Sequence, residues 1–340
     1  MIRIIDSEYR YGYHVQKYPT MIKTILEITK NTPLQAMQIY TSNSRSKIPP
    51  KFDYNDLMAS RKILERNEIY LVIHGSLVYN LAGTTNGKTD ENYKDSLSST
   101  LKGLTAELDY GVALKTGVII HPGSAKDTDK GLKRISKSIE YVLTTKTAES
   151  KKLSELLEIN EDDFIKQRKV IIENSAGAGT TLCASLEEIY TVIKGVSKNL
   201  RCQIKVCWDT AHSYGYGSYD MGKKGEIKKF YDDFDKIIGL KYLELFHFND
   251  SMKNLPGKKN GAAFGSHKDR HQQLGDGYMF DKDKSSRLEQ VKIFMLEARK
   301  RKIAIIGEPP ISGELDWKLV EKLLSDTDFP LLKIFCKNFS

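Results

Sequence analysis

The sequence predicts a single-domain α/β protein, a (β/α)8 TIM barrel with elaborated βα loops, across its 340 residues. Three observations predict it. Short apolar runs rich in β-branched and aromatic residues recur eight times. Between them lie stretches with apolar residues at three-to-four spacing, the period of a helix with one buried face. Five of the seven histidines stand at the ends of those runs or in the loop after one. Side chains placed one per strand tip meet at a common mouth when the strands close into a ring.

The eight strand-like runs are Tyr11–Val15, Ala36–Tyr40, Tyr70–His74, Gly117–His121, Val170–Glu173, Ile204–Trp208, Tyr242–Phe248 and Ile303–Gly307. The helical stretches are Tyr18–Thr29, Leu57–Arg66, Leu97–Leu114, Leu132–Thr144, Leu182–Val196, Ile227–Ile238, Leu288–Arg301 and Leu315–Leu324. Eight strand–helix alternations point to parallel strands. A doubly wound sheet could hold the same number. The barrel core is expected over about residues 10–330, within one domain of residues 1–340. Two polar, glycine-containing segments, 83–94 and 251–266, are expected to be long loops. Barrel enzymes build binding surfaces from such loops.

Composition sets outer limits. The chain is 40% hydrophobic and 29% charged, which suits a protein with a sizeable core. No run approaches the ~18 apolar residues of a membrane helix, and the charged N-terminus is unlike a signal peptide. A soluble intracellular protein without membrane contact is expected. The net charge of +9 favours a polyanionic partner such as nucleic acid. None of Cys183, Cys202, Cys207 and Cys336 forms a CxxC pair, so neither a zinc ribbon nor a thioredoxin motif is present. Reduced thiols are expected, with Cys207 in the core.

Nine residues are candidate metal ligands. His74, His121, Glu173, Asp209, His247 and Glu308 end their runs or directly follow them. His212 lies three residues beyond Asp209. Asp269 and His271 alternate across one residue, so both can face one way in an extended segment. Zinc takes three or four nitrogen and oxygen ligands, so nine donors with one bridging carboxylate supply roughly three sites. Histidine and carboxylate without cysteine suit catalytic zinc or manganese better than structural zinc. His14 ends the first run and is read as a support behind the ligands, and His267 as a solvated loop residue. The segment SAGAGTT (175–181) lacks the Gly-Lys-Ser/Thr ending of a phosphate loop. Its small residues are read as letting Glu173 and its backbone approach the metals.

Several stretches together resemble the endonuclease IV family of apurinic/apyrimidinic endonucleases. They are IENSAGAGTTL (172–182), CWDTAHSYGYG (207–217), FHFNDSMK (246–253), DRHQQLGDG (269–277) and IHPGS (120–124). The resemblance runs from YGYHV at residue 11 to GEPP at 307, almost the whole chain. It implies a barrel with three zinc ions. His74, His121 and Glu173 would hold the first, and Glu173 would bridge to a second held by Asp209, His247 and Glu308. His212, Asp269 and His271 would hold the third, with Mn2+ admissible at one position. The stretch YTSNSRS (40–46) aligns with the family's DNA-penetrating loop and makes Arg45 a candidate for insertion into the duplex.

The chain departs from the pattern in two places. After His74 the family often carries an aromatic wedge; here Leu77 and Val78 stand there and Tyr79 is displaced. An aliphatic wedge also serves intercalation. The segment between His247 and Asp269 is longer than usual, and its Lys253, Lys258 and Lys259 are expected to add phosphate contacts. Asn249, Asp250 and Ser251 are expected to fix His247 or to cap a turn.

The expected activity is a zinc-dependent endonuclease of base excision repair, acting on double-stranded DNA as a monomer. Metal-activated hydroxide would hydrolyse the phosphodiester 5′ to an abasic site and leave a 3′-hydroxyl, with Glu173 as the catalytic residue. An abasic nucleotide has no base to unstack, which favours its extrusion. Two alternatives stand beside this reading. A metal-dependent sugar isomerase or epimerase would use the same barrel, but has no evident use for the His212, Asp269 and His271 set. A damaged-DNA binder without catalysis would not need the complete ligand set.

Overall fold

The computed structural model describes residues 2–5, 10–31, 34–83, 90–325 and 332–335. Eight parallel strands close into a barrel. They are β1 (Tyr11–His14), β2 (Ala36–Tyr40), β3 (Tyr70–His74), β4 (Val118–Ile120), β5 (Val170–Glu173), β6 (Ile204–Asp209), β7 (Leu243–His247) and β8 (Ala304–Gly307). Each pairs with the next, and β8 closes onto β1 through Ile305 opposite Tyr11. Sequential neighbours in a closed parallel ring are the expected arrangement, not the doubly wound sheet.

Side chains alternate across each strand, which sorts the runs into two cores. One parity faces helices and fills the larger core with residues such as Met37, Ile73, Ile120, Ile172, Trp208 and Phe246. The other parity faces the barrel axis. There Ala36, Val72, Ile119, Ile171, Cys207, Leu245, Ala304 and Ile306 pack together. Gly12 on β1 belongs where a side chain would collide with the backbone of Ala36. The floor is polar. Lys169 Nζ lies 2.8 Å from Glu244 Oε1, and Tyr70 Oη donates to the same oxygen at 3.4 Å.

Helices surround the ring, and several starts show side-chain caps. Asp53, Asp127 and Ser185 cap helices 54–66, 128–144 and 186–195. Differences from the sequence expectation are local. Helix Asp90–Ala113 begins inside the segment expected to be a polar loop; residues 84–89 of that segment lie outside the described residues. The expected Leu182–Val196 helix begins at Leu186, because Cys183 has a left-handed backbone (φ 61°). Two helices, Ala148–Leu156 and Glu161–Ile165, add an unexpected excursion before β5. Ile2–Ile5 and Leu332–Phe335 form an antiparallel pair apart from the barrel, beyond the core expected from about residue 10 to 330. The 251–266 segment starts from a short antiparallel pair, Asp250–Ser251 with His271–Gln272. Cys183 and Cys207 are buried free thiols and Cys202 is exposed; Cys336 lies outside the described residues. Among the described residues no helix is long and apolar enough to cross a membrane.

Candidate metal centre

The axis-facing parity continues to the C-terminal ends of the strands, and there its chemistry changes. Two residues beyond Val72, Ile119, Ile171, Cys207, Leu245 and Ile306 stand His74, His121, Glu173, Asp209, His247 and Glu308. Asp209 ends β6 and also caps the following helix, Thr210–Tyr216, by accepting from His212 N at 2.7 Å. That cap brings His212 back over the mouth. Ser251 pairs with His271 in the short ribbon, which carries Asp269 and His271 in from the side.

All nine candidate ligands therefore meet. Three groups have donor atoms within 4.8 Å of one another: His74, His121 and Glu173; Glu173, Asp209, His247 and Glu308; and Asp209, His212 and His271. Asp269 completes the last region, 3.2 Å from His212 Nε2 and 3.3 Å from His271 Nε2. Glu173 lies at the centre. Its Oε2 is 2.9 Å from His121 Nε2 and 3.3 Å from His74 Nε2, and its Oε1 is 2.8 Å from His247 Nδ1.

The histidine tautomers, assigned from their acceptors, suit metal binding. His74 Nδ1–H donates to Gly75 O at 2.7 Å. His212 Nδ1–H donates to Asn174 O at 2.8 Å. His247 Nε2–H donates to Gln38 Oε1 at 2.8 Å. His271 Nδ1–H donates to Glu308 O at 3.3 Å. In each ring the second nitrogen faces carboxylates. One nitrogen held by a fixed acceptor and the other bare is the usual state of a ligating imidazole. Glu173 Oε2 and His271 Nε2 are buried without a hydrogen-bond partner. Imidazole nitrogens and carboxylates facing one another at these distances can share either a proton or a divalent cation between them.

The electrostatics agree. Burial lowers the His271 imidazole, but Asp209 and Asp269 outweigh burial and raise it to about 9. Burial likewise opposes charge on His212, yet Asp209 and Asp269 hold it well above the ordinary histidine value. Glu173 would be raised by burial, but His247 and His121 hold it well below the usual carboxylate range. Glu308 is held at about 2, burial again being outweighed by His247. A field that draws protons this strongly also draws divalent cations.

The supports behind these residues partly differ from expectation. Asn249 touches Asp209 and Glu308, not His247: Nδ2 donates to Asp209 Oδ2 at 2.6 Å and Oδ1 accepts from Glu308 N at 2.7 Å. Asp250 accepts backbone N–H groups of Gly275, Gly277, Met279 and Phe280, so it shapes the 275–280 turn. His14 touches Gln38 at 3.1 Å, and burial lowers its imidazole to about 4. Within the small-residue segment 175–181, Gly177 has neighbours other than the ligands. The nearest atoms to a side chain at Gly177 (φ 70°) belong to Tyr216 and His267, not to the ligands. His267 is exposed, as expected.

Four participants escaped the sequence reading. Gln38, Asn174, Tyr40 and Ile311 touch or border the site. A signal existed for Gln38, a lone amide at axis-facing parity in the apolar run AMQIY.

Around the centre lies a cavity of about 540 Å³ whose lining includes Tyr40, His74, Leu77, Asp269 and Ile311. Arg45 is exposed on the loop after β2. Leu77 and Val78 are 40% and 39% exposed, whereas Tyr79 is buried. The two loops are joined, since Ser44 O accepts from Leu77 N at 2.8 Å and Ser76 Oγ at 3.0 Å. Below them Glu107 accepts from Thr41 Oγ1 at 2.8 Å. Burial raises the Glu107 carboxyl to about 7, with the Thr41 and Tyr79 hydroxyls opposing the rise. Lys253 is turned away to Asp281, 2.7 Å distant. Lys258 and Lys259 are exposed.

A closed parallel barrel with ligand-type side chains at its C-terminal mouth defines a class, and the family model described as xylose isomerase-like TIM barrel matches residues 26–318. Within that class the chain is 31% identical over 325 residues to the probable endonuclease 4 of Halothermothrix orenii, covering 93% of this chain and 100% of that protein. It is 25% identical over 343 residues to the apurinic-apyrimidinic endonuclease 1 of Saccharomyces cerevisiae, covering 98% of this chain and 81% of the yeast protein. The crystal structure of endonuclease IV from Thermus thermophilus shares the fold with a TM-score of 0.67 at 22% identity, covering 94% of this chain and 100% of that one. The chain belongs to the endonuclease IV family, the metal-dependent, DNA-cleaving hydrolases of this barrel class.

Proposed function

We propose that the chain is a zinc-dependent endonuclease that cuts the phosphodiester 5′ to an abasic site in duplex DNA. One observation carries the reading: nine donors form adjoining groups around Glu173, with the bare histidine nitrogens turned inward. Three zinc ions fit this donor set, one with His74 and His121, one with Asp209, His247 and Glu308, and one with His212, Asp269 and His271. Glu173 would be shared by the first two.

Bound zinc would supply Lewis acidity for the scissile phosphate and for the attacking water. The chain's own residues prepare the remainder. Glu173, held ionised by His247 and His121, presents a carboxylate oxygen at the centre, where it orients the nucleophile. Arg45, Leu77 and Val78 stand exposed beside the cavity to grip the duplex, Arg45 through phosphate or groove contacts and the two apolar side chains by filling the gap an extruded nucleotide leaves. A cavity of about 540 Å³ has room for a sugar-phosphate. The net charge of +9 favours a polyanionic duplex, and the enzyme is read as acting as a monomer.

The test is incision of a duplex oligonucleotide carrying one tetrahydrofuran abasic analogue by zinc-loaded protein. That analogue lacks the aldehyde needed for lyase cleavage, so a single cut on its 5′ side with a 3′-hydroxyl supports the reading. An intact duplex would overturn it. The family's fold is shared with isomerases, and zinc stoichiometry separates the two: about three per chain fits the endonuclease donor set.

A further inference from the structure

Gln38 is fully buried on β2, at axis-facing parity two residues below the mouth residue Tyr40. Its carboxamide has three short contacts, and each uses a different capability of the group. Oε1 accepts from His247 Nε2–H at 2.8 Å. Nε2 donates to Glu308 Oε1 at 2.6 Å and to His14 Nδ1 at 3.1 Å. The reverse orientation of the amide would set its oxygen against the Glu308 carboxylate, so the network fixes it.

We infer that Gln38 is a positioning residue for the middle metal position. By accepting the Nε2 proton of His247 it leaves Nδ1 as the bare donor facing Glu173 and Glu308. By donating to Glu308 Oε1 it turns the other carboxylate oxygen, Oε2, towards the cation position: Oε2 accepts from Asn249 Nδ2 at 3.2 Å and keeps its second lone pair on the side of His247 Nδ1, 3.3 Å away. Its second N–H selects the His14 tautomer that carries its proton on Nε2, in a ring that lines the cavity. One neutral amide thus sets two ring tautomers and one carboxylate orientation. The inference rests on the metal reading of the site.

The test uses Gln38→Met, similar in length and without polar atoms, and Gln38→Glu, which retains an oxygen for His247 but repels Glu308. Zinc affinities are measured by competition with a chromophoric chelator. The His247 ring tautomer is read from imidazole 15N shifts in zinc-free protein at alkaline pH, where the ring is neutral. In Gln38→Met one of the zinc affinities is expected to fall ~10–100-fold while the others stay within ~3-fold, and His247 loses its fixed Nε2–H signature. Gln38→Glu is expected to retain that signature and still lose affinity at the same position, which keeps the test available if the Met variant does not fold. Wild-type zinc affinities and an unchanged tautomer in either folded variant would overturn the inference. Absence of zinc binding by the wild-type protein would instead overturn the metal reading beneath it.

Discussion

The barrel interior and the barrel mouth are built from the same strands at the same parity, two residues apart. At the lower level Val72, Ile119, Ile171, Cys207, Leu245 and Ile306 pack against one another. At the upper level the next axis-facing residues are His74, His121, Glu173, Asp209, His247 and Glu308. That step is about 6.6 Å along a strand. The lower level is a packed apolar plug that holds the ring together. The upper level is a set of buried and half-buried polar groups that stabilise little without a cation. The comparison teaches that the site's geometry is inherited from the ring beneath it: each of these six side chains is aimed by the register that packs the plug.

Paired substitutions on one strand are the sharpest way to break this contrast. Glu173→Gln neutralises the carboxylate common to two of the donor groups and should lower single-turnover incision of the tetrahydrofuran duplex by at least ~10³-fold. Its affinity for the duplex in a gel-shift assay should change only a few-fold. Undiminished incision would remove Glu173 from the chemistry. Ile171→Ala, one step lower on the same strand, should do the opposite. Loss of a fully buried side chain should cost ~2–4 kcal/mol of stability in chemical denaturation, with near-normal incision per folded molecule.

A position beside the mouth sharpens the comparison through pH. Asp316 accepts from Leu274 N at 2.8 Å and so ties the segment after His271 to helix 313–324. Burial raises its carboxyl from 3.8 to about 7, against the opposing Leu274 and Gln273 hydrogen bonds. The folded state therefore binds a proton more tightly than the unfolded one between those two values. Its contribution to stability is complete below pH 3.8 and is lost as pH rises through about 7. Asp316→Asn should flatten this part of the stability–pH curve and be the more stable of the two at pH 8. Equal slopes from pH 4 to 8 would refute the assignment. The smallest effect is expected at the rim, where Leu77→Ala should weaken binding of the abasic duplex by ~1 kcal/mol, about 5-fold, with the incision rate at saturation little changed. A titration with the intact duplex as control measures it.

How much of this was legible in the sequence depends on the range of the interactions. All eight strands were recoverable from local period and residue type, and six of the nine mouth residues from their positions at the run ends, the other three from the spacing of His212 to Asp209 and the alternation of Asp269 and His271. The barrel turns a one-dimensional pattern, the last axis-facing residue of each run, into a convergence in space. Contacts between distant segments were not legible. Gln38 meets His247 and Glu308, which lie 209 and 270 residues away; nothing local tells a buried amide that bridges from one that merely fills space. Asp250 was open to two readings, a support for His247 or a turn cap, and only the fold decides for the cap by bringing the backbone N–H groups of 275–280 to it. Lys253 looked free because it lies in a polar loop, and only the fold brings Asp281 to it. The helices at 148–165 carry their own caps, Thr147 and Asn160, but a polar connection between strands hides them.

The carbonyl of Ser44 has a consequence for anyone reshaping this protein. It accepts from both Leu77 N and Ser76 Oγ, so the segment bearing Arg45 and the segment bearing Leu77 and Val78 are one mechanical part. Lengthening either alone would pull its partner out of line. Transplanting these two segments onto another barrel therefore means moving both as a matched pair, with Glu107 and Thr41 as the keystone beneath them.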